Sequence, residues 1–319
     1  MVFRDRGQVV VNPCRFPLPS EWPAMPAWDL FPLHRYPLEP NGIFSRMPHV
    51  APIITGRGCP YSCSFCACAT LFGRRVRRRS VTDVLQEMDH LANHEGIREF
   101  HIQDSAFIVT GAFVRELCEN LIDSRRGYCW ALTSGVRLDA VNPELVRLME
   151  SAGCYSMALG IESGSDHILA RMSKNLDVAT IRSQVRMIKE NSKIRLTGFF
   201  IIGYPDEVEN DVAATIRLAV ELPLDRANFF NFMPFPGTRA HQELLNQGRL
   251  HNLLTDRLYI HDFPFEHPCF SNRWWKRQIR KANLLFYGRL RILWGLAREI
   301  RSLAQVKIIA RRAASILFS

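Results

Sequence analysis

From residue 51 onward the chain alternates short apolar runs with stretches of helical period, and this alternation confines it to one broad architecture. The apolar runs span 52–55, 99–103, 129–133, 156–160, 196–202 and 227–232. Each is short enough for a buried strand and is followed by an amphipathic stretch. Those stretches carry apolar residues three or four apart: Val84, Met88 and Leu91; Phe113, Leu117 and Leu121; Leu145, Leu148 and Met149; Ile181, Val185 and Ile188; Val212, Ile216 and Val220. Strands separated by helices pair in parallel, and right-handed crossovers wind such units into an open sheet or barrel. Six βα units fall short of the eight that close a full TIM barrel. The expected fold is therefore α/β, a partial (βα)6 TIM-like barrel spanning 51–240.

The flanks differ from this core. Residues 1–50 hold nine of the eighteen prolines, which deny the backbone both helix and central-strand pairing. They read as an extended lead-in, with a small hairpin near Arg6 and Gly7. Residues 241–319 read as a helical extension with a basic amphipathic tail. The formal net charge of +10 sits in that tail: from residue 272 onward there are twelve Lys or Arg against one acid, Glu299. The rest is near neutral, which argues for a local attachment surface and against a general polyanion channel.

Residues 56–68 read G-R-G-C-P-Y-S-C-S-F-C-A-C and follow directly on the first strand. In parallel α/β folds chemistry gathers where the C-terminal ends of strands meet their loops. Structural zinc wants four ligands, and no suitable second cysteine or histidine pair accompanies Cys59, Cys63 and Cys66. Three thiolates on one short loop suit three corners of a [4Fe-4S] cubane and leave one iron open. Cys68 reads as a small packed residue beside the loop, and Cys14, Cys118, Cys129, Cys154 and Cys269 as buried thiols, with a hydrogen-atom donor or substrate contact as the alternative for Cys269.

This C-x-x-x-C-x-x-C loop after the first strand of a six-unit barrel resembles the radical S-adenosylmethionine enzymes. V-V-V-N-P, P-A-W-D-L, F-H-I-Q-D-S-A-F, L-D-A-V-N-P-E-L, G-I-E-S-G-S, G-F-F-I-I-G-Y-P-D-E and F-M-P-F-P-G-T resemble, in the same order, the branch that carries an N-terminal cobalamin-binding domain. The resemblance implies a [4Fe-4S] cluster whose open iron binds S-adenosylmethionine, and reductive cleavage of that molecule to a 5′-deoxyadenosyl radical. It sets Phe65 beside the adenine. Glu162 and Ser163 are expected at the ribose or amino group, Lys174 and Arg137 at the carboxylate side, and Gly203 in a turn against the adenine. Asp104 is expected to face the amino group or the substrate as the catalytic acid, or else to cap the following helix. Two departures stand out: Asp104 is followed by Ser105, where the branch often has a second acid, and the sequence has no D-x-H-x-x-G loop to ligate cobalt. Cobalamin is therefore not assigned to these residues.

The tail stretch R-W-W-K-R-Q-I-R-K-A-N-L-L-F-Y-G-R-L-R-I-L-W mixes aromatic and aliphatic residues with arginine at helical period. It suits either the surface of anionic lipid or packing over the open side of the barrel. No uncharged run is long enough to span a bilayer. The expected partners are a low-potential donor of flavodoxin or ferredoxin type and a hydrophobic small molecule, such as a lipid, polyketide or tetrapyrrole, to be methylated, cyclised or rearranged. Without a secretory signal at Met1, the expected compartment is the cytoplasm, with the tail at the inner membrane face. RNA modification, and a non-catalytic iron-sulfur carrier, are the competing readings; nucleic acid is disfavoured because Trp274 and Trp275 sit on no RNA module.

Overall fold

The computed structural model describes residues 2–12, 25–35, 45–250, 265, 267–300, 305–307 and 309–310. Cys14 and most of the early proline run lie outside them. The chain opens with an antiparallel hairpin, β1 (Val2–Asp5) and β2 (Gln8–Val11), turning at Arg6 and Gly7 with φ of 45° and 85°. Left-handed conformation at both corners is what a tight hairpin turn demands. A short 3-10 turn, Trp28–Leu30, then fixes the lead-in to the barrel: the Trp28 indole donates to Glu87 Oε1 at 3.0 Å.

Strand β3 (Val50–Ile53) begins the main sheet, and a two-residue ribbon of β4 (Gly56–Arg57) and β5 (Arg77–Arg78) brackets the cysteine loop and helix α1 (Cys68–Phe72). The chain then alternates: α2 (Val81–His94), β6 (Glu99–Ile102), α3 (Gly111–Asp123), β7 (Cys129–Val136), α4 (Pro143–Ser151), β8 (Cys154–Glu162), α5 (Asp166–Arg171), α6 (Val178–Asn191), β9 (Arg195–Ile202), α7 (Glu209–Glu221), β10 (Arg226–Asn231) and α8 (Arg239–Asn246). The six main strands pair in the order β10-β9-β8-β7-β6-β3, all parallel. The partial barrel is as expected, and its two edges, β3 and β10, do not pair.

Local chemistry explains the boundaries. Ser80, Asn142, Ser165, Asp177 and Thr238 each cap a helix by accepting from a backbone N–H three residues on, satisfying a donor that has no intrahelical partner. The predicted apolar stripes face inward: Val84, Met88 and Leu91 of α2 and Ile181, Val185 and Ile188 of α6 are all buried. Strand β8 is buried along its whole length, as a central parallel strand covered on both faces must be.

Two further helices, α9 (Asn272–Tyr287) and α10 (Leu290–Glu299), close the edge of the sheet. Trp275, Ala282 and Phe286 are buried, and Phe286 meets Phe229 of β10 edge-on. The Tyr287 hydroxyl donates to Ala227 O at 2.8 Å. A helix laid over an edge strand removes a template for intermolecular pairing. The tail thus takes the packing role at these positions, while Leu284, Leu285, Leu290, Leu293 and Trp294 stay 48–84% exposed. Among the described residues no helix is long and apolar enough to cross a membrane.

Docking of α9 predicts a sharp contrast between neighbours. Phe286→Ala should cost about 3–5 kcal/mol of stability, whereas Leu285→Ala should stay within about 0.5 kcal/mol. Urea unfolding of the two variants measures the difference.

Candidate active site

The cysteine loop leaves the C-terminal end of β3 and is braced before any metal is considered. Gly58 has φ of +97°, and a Cβ there would sit 2.2 Å from Arg75 O, so only glycine fits. The Cys59 N–H donates to Gly73 O, and the Cys66 N–H to Cys63 O. Ser64 is the buried pin of the loop. Its N–H donates to Met172 O, its carbonyl accepts from the Ala240 N–H, and its hydroxyl meets Tyr204 Oη at 2.7 Å. Three elements after β8, β9 and β10 thereby hold one residue between the second and third cysteines.

Cys59 and Cys63 are half-buried and Cys66 is exposed. Among the described residues no three Cys, His, Asp or Glu side chains gather around one point as a single metal ion requires. Three thiols on one loop are the donor chemistry that a cubane takes, one thiolate to each of three irons. The Cys68 N–H points at Cys66 Sγ at 3.5 Å, the kind of bond that tunes a cluster. Cys68 neighbours Cys59, and the coupling of the two thiols pushes Cys59 up and draws Cys68 down to about 7. Burial raises the Cys63 thiol, opposed by the charges of Lys174 and Arg137. Cys269 is exposed, correcting its reading as a buried thiol.

Those charges belong to a buried pair at the end of the central strand. Glu162 closes β8 with φ of 68°, and Lys174 sits between Ser173 and Asn175, both at φ of 52°. Lys174 Nζ lies 2.8 Å from Glu162 Oε1. Gly160 makes the room: a Cβ there would come within 2.7 Å of Glu162 Oε1 and 2.9 Å of Lys174 Nζ. Arg137 donates to Lys174 O at 2.7 Å, grips Asp139 through both arms of its fork, and lies 3.9 Å over the Tyr61 ring. Arg137 is thus an ion-pair partner of Asp139 and a clamp on the Lys174 backbone at once.

Other expected residues are directed elsewhere. Ser163 turns away from the loop; its hydroxyl bonds Thr215 of α7 and accepts from the Ser165 N–H. The left-handed turn at Glu162 reverses the side-chain direction, so the hydroxyl serves helix packing. Asp104 does not cap α3, whose first turn follows Thr110. Its carboxylate accepts from the Thr55 N–H at 2.7 Å, the Thr55 hydroxyl and Arg78 Nη1 at 2.8 Å, and burial raises its pKa. Phe65 is half-buried against the core. Gly203 has φ of 88° and donates to Glu207 Oε2, as does the Tyr204 N–H at 3.3 Å.

Sequence reasoning passed over Ser64, Tyr204 and Glu207. Only the G-Y-P-D-E stretch signalled the last two, and it was read as turn geometry alone. Burial pushes the Glu207 carboxyl up to about 8, and its Oε1 has no hydrogen-bond partner. The folded state therefore binds a proton that the unfolded chain releases near pH 4.5, so stability declines as pH rises from there to about 8. Glu207→Gln keeps an acceptor for the turn without the titration. Its urea midpoint should fall less than that of the wild type between about pH 5.5 and 8.

The Radical SAM superfamily matches residues 53–219. The chain is 30% identical over 298 residues to an uncharacterized methyltransferase of Pyrococcus horikoshii, covering 91% of this chain and 61% of that protein. It is 29% identical over 226 residues to the anaerobic magnesium-protoporphyrin IX monomethyl ester cyclase of Cereibacter sphaeroides, covering 70% of this chain and 36% of that enzyme. Among solved structures, the radical S-adenosylmethionine methyltransferase TsrM from Kitasatospora setae, with cobalamin and a [4Fe-4S] cluster bound, shares the fold. Its TM-score is 0.58 at 21% identity, over 72% of this chain and 46% of that one. The chain thus spans less than two thirds of the relatives it matches.

Proposed function

Because the chain belongs to the Radical SAM superfamily, we propose that it cleaves S-adenosylmethionine reductively and directs the resulting radical at a hydrophobic small molecule. The observation that carries this reading is the set of groups around Cys63: two further thiols on its own braced loop, and the charges of Glu162, Lys174 and Arg137 facing it. Cys59, Cys63 and Cys66 would hold a [4Fe-4S] cluster, which would supply the electron for reductive cleavage of the sulfonium C–S bond.

The chain's own residues bind and orient. Lys174 is the cation for the carboxylate of S-adenosylmethionine, and Glu162 the anion for its amino group. The two neutralise each other, so neither buried charge stands alone. Arg137 holds the Lys174 backbone and packs on Tyr61, which keeps the loop against this pair. Phe65 and the Gly203 turn are the candidates for the adenine. Asp104 is a positioning residue, since its oxygens tie Thr55 and Arg78 to the start of the loop. Ser163 carries no ligand role.

A hydrophobic substrate is supported by Phe199 and Phe230. They meet edge-on at 5.4 Å and are half-buried, on the opposite side of their strands from Phe200 and Phe229, which pack toward the helices. The reaction, whether methylation, cyclisation or rearrangement, follows from what is held there. We assign no residue to a corrinoid, because the 319 residues contain no D-x-H-x-x-G loop. The electron source is a low-potential protein of flavodoxin or ferredoxin type. The exposed Leu290, Leu293 and Trp294 with their surrounding cations favour a peripheral contact of a cytoplasmic protein with anionic lipid.

Anaerobic reconstitution followed by dithionite and S-adenosylmethionine should yield 5′-deoxyadenosine. Cys63→Ala should lose cubane iron and product together, while Cys68→Ala should retain the cluster by iron content and by its paramagnetic resonance signal. A Cys63→Ala protein that still holds a full cubane would sink the ligand assignment. Lys174→Met should weaken binding of S-adenosylmethionine about tenfold or more with iron content unchanged. For the membrane contact, a Leu290→Ser, Trp294→Ser double variant should lose flotation with anionic liposomes. Substitution is the sound test, since cutting the chain at residue 271 would uncover β10.

A further inference from the structure

At the opposite end of the barrel from the cysteines lies a second opening, of about 210 Å³, lined by Ser45, Arg46, Tyr155, Lys193, Arg195, Arg298 and Glu299. Arg195 is the first residue of β9, so the opening sits at the N-terminal ends of the strands. Strands β7 to β10 run six to nine residues, so at ~3.3 Å per residue their two ends lie roughly 20 Å or more apart. Nothing bound here touches the reacting atoms.

Among the described residues four cations and one carboxylate line this opening, and the cations come from three stretches remote in sequence: the segment before β3, the entry to β9 and the end of α10. Glu299 is already shared, accepting from Arg195 Nη1 at 2.5 Å and Arg226 Nη2 at 2.7 Å. Two other carboxylates approach from behind and hold backbone. Glu99 Oε2 accepts from the N–H groups of Arg46 and Met47 at 2.6 and 2.7 Å, and Glu150 Oε1 from the Lys193 N–H at 2.8 Å. Tyr155 forms the floor. Its hydroxyl donates to Glu99, and the guanidinium groups of Arg46 and Arg195 lie over its ring at 4.7 and 5.4 Å. Burial holds the Arg226 guanidinium below its usual value, Glu299 opposes this, and the charge of Arg195 adds to it.

We propose that this opening is a binding site for a phosphate group, independent of the radical chemistry at the other end. Three arginine forks and a lysine are the donors that recognise phosphate oxygens. The volume falls below the ~300 Å³ of clefts that take drug-sized ligands, so it admits a headgroup and excludes a large ligand. The phosphate belongs either to a soluble ester or to a lipid headgroup presented beside the exposed face of α10.

The test is calorimetric titration of the full chain with inorganic phosphate, alongside sedimentation with phosphatidylglycerol vesicles and phosphatidylcholine controls. Lys193 and Arg298 are both exposed, so Lys193→Gln and Arg298→Gln leave the core intact. Phosphate affinity should fall about tenfold with either substitution, further with both, and should weaken as salt rises. If Lys193→Gln also releases phosphatidylglycerol vesicles, the ligand is a lipid headgroup; if phosphate binds and vesicles are not retained through Lys193, it is a soluble ester. Phosphate affinity unchanged in the double variant, or no binding of either probe, overturns the proposal.

Discussion

Six strands that all run the same way deliver every strand's C-terminal loop to one edge, and this single constraint of parallel pairing assembles the site. Antiparallel neighbours would alternate their loops between two edges. Here the cysteines after β3, Asp104 after β6, Arg137 after β7, Glu162 at the end of β8 and Tyr204 after β9 arrive together although they are dispersed over 146 positions, from Cys59 to Tyr204. The crossover helices cover one side of the strands, and the other is left for Phe199, Phe230 and the charged groups.

Within that frame the Glu162–Lys174 pair is the costly element. Burying two charges forfeits hydration that their mutual attraction only partly returns. The structure meets the cost with backbone set to suit: a glycine at 160, a left-handed residue at the end of β8, and two more flanking Lys174. Such unfavourable conformations persist where surrounding contacts impose them, and they concentrate at sites that bind.

Much of the architecture was legible in the chain because buried parallel strands are apolar on both faces and their helices on one. Those patterns locate all six strands, with ends that agree to within three residues. The β4–β5 ribbon was invisible, since Gly56–Arg57 and Arg77–Arg78 carry no strand pattern and pair only because the loop between them must close. Motif order grouped Glu162, Lys174 and Arg137 with the cysteine loop, and the fold does bring their charges to bear on Cys63. It failed for Ser163 because a linear motif does not report the backbone reversal at Glu162, and it gave Asp104 an open role because the partners that occupy its carboxylate, Thr55 and Arg78, lie 49 and 26 residues away. Helical period in the tail was plain, but period alone does not say that Trp275 and Phe286 are inside while Leu285 and Trp294 are outside.

The brace on Ser64 has a consequence for how the protein tolerates air. In small zinc modules the ion is the fold, and stripping it unravels the chain. Here the cradle is tied to three barrel elements by bonds that contain no iron, so oxidative dismantling of a cluster would leave its mould standing. Repair then needs only iron, sulfide and electrons, and no refolding.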